Sequence, residues 1–75
     1  MKNPLVTIRT DTIRLDYVSV SGLIEPQNTE VFILFTAGEK LSYRHKTPAQ
    51  ARRTLDRFNK RWARYIGLEF MGWKA

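Results

Sequence analysis

From Thr47 onward the apolar residues recur at three- and four-residue intervals. Ala51, Leu55, Phe58, Trp62, Tyr65 and Ile66 form one stripe, as they do on a helix that buries a single face. Local signals bound the segment. Thr47 suits an N-cap, Pro48 the first helical position and Gln50 the capping-box position three residues on, and Gly67 suits a left-handed C-cap. The spacing predicts one amphipathic helix over Pro48–Ile66.

Upstream, the period changes from 3.6 towards 2, the repeat of a half-buried strand. Residues 4–10 read as a first strand around Leu5, Val6 and Ile8, with a turn at Asp11-Thr12, whose short polar side chains bond readily to nearby backbone. Ile13-Arg14-Leu15-Asp16-Tyr17 alternates as a second strand. The apolar phase then shifts to Val18 and Val20, which predicts a bulge or kink near Tyr17–Val18. Gly22 to Thr29, with Pro26 and Asn28, reads as a loop. Glu30 to Thr36 is the strongest strand signal. Ala37-Gly38-Glu39 reads as a hairpin connection with Gly38 at positive φ. Lys40 to Lys46 returns as a strand with Leu41 and Tyr43 on one face, and Ser42, Arg44 and Lys46 on the other.

Strands first and helix last is the order of an α+β domain. The expectation is one domain over residues 1–75: an antiparallel sheet of about four strands followed by one C-terminal amphipathic helix packed on one face. A short C-terminal tail or fifth strand follows at Leu68–Trp73. The run Val31-Phe32-Ile33-Leu34-Phe35 is apolar on both of its faces, whereas a sheet with one solvated face should alternate. The helix covers only one face. The Phe70, Met71 and Trp73 tail or a second copy of the chain is expected on the other, with Phe32 and Leu34 in that interface. A 75-residue chain buries only about 60% of the surface its unfolded form exposes, and small unstapled domains gain stability by oligomerising. A homodimer is therefore expected, with Trp73 as a docking anchor or an exposed interaction residue.

Charge changes this picture from scaffold to surface. The chain carries +6 overall, but residues 1–36 sum to −1 and residues 37–75 to +7. Much of the excess lies on the helix opposite the apolar stripe: Arg53, Arg57, Lys60, Arg61 and Arg64, with Arg52 on a flank and Asp56 as the one acid. Arg44 and Lys46 extend the series on the preceding strand. An ordinary exposed helix face mixes signs and gains ion pairs at i,i+4, whereas like charges at that spacing repel. A stacked cationic ridge of mostly arginine, whose planar fork grips phosphate in a bidentate way, points to a polyanion.

Other chemistry is sparse. With no cysteine, disulfides and thiolate metal sites are excluded, and a reducing compartment is favoured. One histidine and scattered carboxylates do not form three or four converging metal ligands. No phosphate-cradling glycine spacing and no nucleophile elbow occurs, so no cofactor and no enzyme activity are expected. His45 reads first as a polar residue at a strand end; its functional alternatives are a phosphate contact or the catalytic group of a small ribonuclease. Tyr43 reads as core from its alternation with Leu41, though Tyr43 and His45 would stack on bases if exposed. The RNA-recognition aromatic motif, the KH loop and zinc-finger spacing are absent. Met1-Lys2-Asn3-Pro4 leads into a strand-like run rather than an apolar signal segment, and no stretch approaches the roughly 20 apolar residues needed to span a bilayer. The expected location is cytoplasmic, with no membrane partner.

The functional expectation is a non-enzymatic, basic binding protein that contacts DNA or RNA phosphates through Arg53, Arg57, Lys60, Arg61 and Arg64, with Arg44 and Lys46 at the near end. The alternatives are a small adaptor or inhibitor that binds an acidic protein surface, or a homo-oligomeric structural module without a nucleic-acid role.

Overall fold

A computed structural model describes residues 3–67. The protein is α+β, with five short strands followed by one helix: β1 (Leu5–Ile8), β2 (Asp11–Arg14), a 3-10 turn (Leu15–Tyr17), β3 (Val18–Leu23), β4 (Glu30–Phe35), β5 (Lys40–Arg44) and α1 (Pro48–Ile66). All strand pairs are antiparallel. They form two sheets rather than one: a β1–β2 hairpin and a three-stranded β3–β4–β5 meander.

The difference arises at the expected second strand. Ile13 and Leu15 are both buried, so the alternation is real. The backbone nonetheless leaves the extended conformation after Arg14 and makes one 3-10 turn, closed by Val18 N donating to Leu15 O, just past a last hairpin bond from Leu15 N to Pro4 O at 2.6 Å. The expected kink at Tyr17–Val18 marks where the chain passes from one sheet to the other, and a register shift between Val18 and Val20 follows it. The first turn also lies elsewhere. Ile8 pairs with Asp11, so Arg9-Thr10 closes the hairpin, and Arg9 takes a φ of 56°. Asp11 and Thr12 belong to β2.

The helix forms as its local signals require. The Thr47 hydroxyl accepts from Gln50 N at 3.2 Å, and the Gln50 side chain accepts from Lys46 N at 3.2 Å. Gly67, at φ 79°, closes the C-terminus by donating to Ala63 O. Together these satisfy backbone groups that the helix ends leave without partners.

The helix lies across β3 and β4 and touches the 3-10 turn. Ala51, Leu55 and Phe58 pack with Val31, Ile33 and Tyr43 of the sheet and with Ile13, Leu15 and Val18. Each large side chain buried this way stabilises by about 1.5–3 kcal/mol. Phe58, 2% exposed, sits at the centre with Trp62 tilted beside it, ring centroids 6.3 Å apart. Trp62 and Tyr65 are partly buried against the same cluster. Ile66 departs from the expected stripe: in the last turn it is 46% exposed, while Ala63 is buried.

The opposite face of the three-stranded sheet carries Val20, Phe32 and Leu34, framed by Glu30, Arg44 and Lys40. Phe32 and Leu34 are half-buried. Phe32 pairs with Gly22, and a Cβ there would fall 3.0 Å from the phenyl ring. The glycine thus lets the ring lie against the neighbouring backbone, and the chain shades part of its own second face. Phe70, Met71 and Trp73, expected on that face, lie outside the described residues.

Candidate nucleic-acid interface

Burial of Ala51, Leu55 and Phe58 fixes how the helix is rotated on the sheet. The side chains on the far side therefore face water. Arg53, Arg57, Lys60 and Arg64 are all exposed, as are Arg52 and Asp56 on the neighbouring flank. Arg53/Arg57, Arg57/Lys60/Arg61 and Lys60/Arg64 are like-charged neighbours at i,i+3 or i,i+4, each pair costing the isolated helix about 0.2–0.5 kcal/mol.

No ion pair among the described residues neutralises the ridge. Among the described residues the ion pairs are Arg14–Asp16 at 2.8 Å and Arg44–Glu30 at 3.8 Å, and neither involves the helix. Arg14 donates to both oxygens of Asp16, which holds that carboxyl below the usual carboxylate range and raises the Arg14 guanidinium. Arg14 also lies 4.9 Å from the Tyr17 ring centroid. It is consumed locally and adds little to the cationic surface.

The structure separates the seven expected contact residues into four groups. Arg53, Arg57, Lys60 and Arg64 project from the ridge. Arg61 is half-buried and donates to Leu5 O at 3.0 Å, tying the helix flank to β1. Lys46 is exposed just before the helix. Arg44 is on the other side of the sheet: it alternates with buried Tyr43 and leans towards Glu30, so its largely exposed side chain does not continue the ridge.

The question about aromatic stacking resolves by burial. Tyr43 is 4% exposed, and its hydroxyl donates to Asp11 Oδ2 at 2.8 Å. Burial, then that hydrogen bond, push its phenol well above the ordinary tyrosine value. No base stacks on a side chain so enclosed. His45 is half-buried at the end of β5, with Nε2 2.8 Å from Thr54 Oγ1 and Nδ1 3.1 Å from Tyr43 O.

Arg9 is the cation that sequence reasoning missed. It occupies the β1–β2 turn, donates to Arg44 O, and holds its guanidinium 5.6 Å from the centroid of the Tyr43 ring. The hairpin brings it to the flank of the helix, where Arg9 and Arg57 line the same cleft. The cationic surface thus turns from the ridge around onto the hairpin. No local signal reveals this, because Arg9 and Arg57 are brought together only by tertiary packing.

The chain matches no protein-family model, no curated protein and no solved structure. Its function must be argued from this geometry. Among the described residues no helix is long and apolar enough to cross a membrane.

Proposed function

We propose that this protein binds DNA or RNA without catalysis, through phosphate contacts made by Arg53, Arg57, Lys60 and Arg64, with Arg61 and Lys46 beside them. One observation carries the reading: the exposed face of α1 stacks like charges, and no ion pair among the described residues offsets them. A polyanion relieves that repulsion. Phosphate contacts position a protein on nucleic acid without reading bases, so affinity is expected to depend steeply on salt, with modest sequence preference. The proposal keeps the expected cytoplasmic location.

Charge reversal at Arg53 and Lys60 tests it. Neither side chain makes a described hydrogen bond to the fold, so Arg53→Glu with Lys60→Glu is expected to leave the melting temperature nearly unchanged. Oligonucleotide affinity is expected to fall at least a hundredfold. Undiminished binding by the folded double variant removes the ridge from the account. Binding that is absent in the parent but present with an acidic protein surface favours the adaptor reading instead.

A second reading concerns self-association. Val20 is 42% exposed and lies beside Phe32 and Leu34 on the sheet face away from the helix, an apolar strip suited to a second copy of the chain. Phe32→Lys is expected to convert a dimer to monomer in sedimentation equilibrium. A parent that sediments as monomer at all concentrations excludes this role.

A further inference from the structure

The flank of the helix and the β1–β2 hairpin enclose a cleft of about 230 Å³. Its polar side chains include Arg9, His45, Thr54 and Arg57, over an apolar floor that includes Ile8 and Phe58. Among the described residues no carboxylate lines it. Two arginines line it from different elements, Arg9 from the hairpin turn and Arg57 from the helix.

Arg9 is held in place before any ligand arrives. It donates to Arg44 O and lies over the Tyr43 ring, and a guanidinium has five N–H donors, so those contacts leave others for an anion. Preorganisation of this kind reduces the ordering cost of binding. The backbone points the same way. Arg9 adopts a φ of 56°, which glycine or asparagine would occupy at lower cost.

His45 and Thr54 supply a hydrogen-bonding wall. The Tyr43 carbonyl can only accept, so Nδ1 of His45 carries the hydrogen, and in the neutral ring Nε2 accepts from the Thr54 hydroxyl at 2.8 Å. An anion oxygen in the cleft competes with Nε2 for that hydroxyl hydrogen.

We propose that this cleft seats one phosphate group, with Arg9 and Arg57 gripping its oxygens and Thr54 donating to it. The phosphate is either a nucleic-acid backbone phosphodiester, which rests on the function proposed above, or free phosphate. The seat adds a fixed anchoring point beside the open ridge.

The test follows the His45 ring nitrogens of the full-length, 15N-labelled protein by NMR, with inorganic phosphate in one titration and an oligonucleotide in another. Both are expected to shift Nε2 saturably, and Arg9→Gly is expected to weaken the phosphate response at least tenfold. Glycine suits the left-handed turn but loses the bond to Arg44 O that helps dock the hairpin, so Arg57→Gln, whose parent side chain makes no described bond to the fold, is read beside it and is expected to weaken the phosphate response likewise. Thr54→Val is a third variant, expected to abolish the Nε2 response while oligonucleotide affinity falls only partly. An oligonucleotide that binds by anisotropy without moving Nε2, in a protein that inorganic phosphate does not shift either, overturns the seat and leaves the ridge standing. A phosphate response without oligonucleotide binding upholds the seat for free phosphate and overturns the nucleic-acid reading. No response to either ligand overturns the seat, as does a response unchanged in all three variants.

Discussion

The Tyr43 hydroxyl donates to the Asp11 carboxylate at 2.8 Å, a bond between two side chains that ties the three-stranded sheet to the β1–β2 hairpin. The two sheets share no backbone ladder, so this bond, Arg9 to Arg44 O and Arg61 to Leu5 O do much of the polar work of holding the hairpin against the rest.

The bond has a pH signature. Burial first, then Asp11, raise the phenol of Tyr43 above its ordinary 10.0. The folded state therefore keeps its proton where the unfolded chain loses it. This stabilisation is complete below the ordinary tyrosine range and declines as pH rises above it. Tyr43→Phe is expected to cost about 1.5–3 kcal/mol at neutral pH and to flatten the alkaline loss. Urea midpoints at about pH 8 and about pH 11 measure both; equal alkaline losses in the two proteins contradict the assignment.

Gly22 and Phe32 form a matched pair across β3 and β4. A methyl group at position 22 would lie 3.0 Å from Phe32 Cε1, so the ring must lift. Gly22→Ala is expected to destabilise by about 1 kcal/mol, at the mild end of overpacking because the ring is half-exposed. Phe32→Leu should absorb most of that penalty. A double-mutant cycle by chemical denaturation reads the coupling, and strict additivity of the two changes dissociates the pair.

The Thr47 cap is a local determinant whose loss should be felt globally. Its hydroxyl accepts from Gln50 N, and Thr47→Ala is expected to cost about 1 kcal/mol. Thr47→Asp should restore most of it. Thermal melts separate these outcomes, and an unaffected melting temperature in Thr47→Ala would show that the Gln50–Lys46 bond alone suffices at this end.

The helix was legible from sequence because its determinants are local. Thr47, Pro48, Gln50 and Gly67 each act within a few residues, and the period of Ala51, Leu55 and Phe58 states which face is buried and hence where the arginines point. The hairpin was less so. Arg9 stands in a left-handed turn position that ordinarily signals itself by Gly or Asn, so the turn was expected at Asp11-Thr12. Ile13 and Leu15 alternate correctly for a strand, but alternation reports burial rather than backbone conformation, and the 3-10 turn buries Leu15 equally well. Tyr43 followed its alternation into the core. Arg44 followed it to the wrong side for the ridge, a consequence of strand geometry outweighing closeness in sequence. The Arg9–Arg57 cleft had no sequence signature, since it depends on how a hairpin docks on a helix far along the chain.

Salt dependence is the most direct test of the central claim that the α1 ridge grips phosphates. Fluorescence anisotropy with labelled single- and double-stranded oligonucleotides, at about 50 mM and about 200 mM salt, measures it. Five or more phosphate contacts predict that affinity for the duplex falls at least several-hundredfold across that range, with the slope reduced by about one for each ridge cation removed. No binding at low salt, or binding nearly indifferent to salt, contradicts the account.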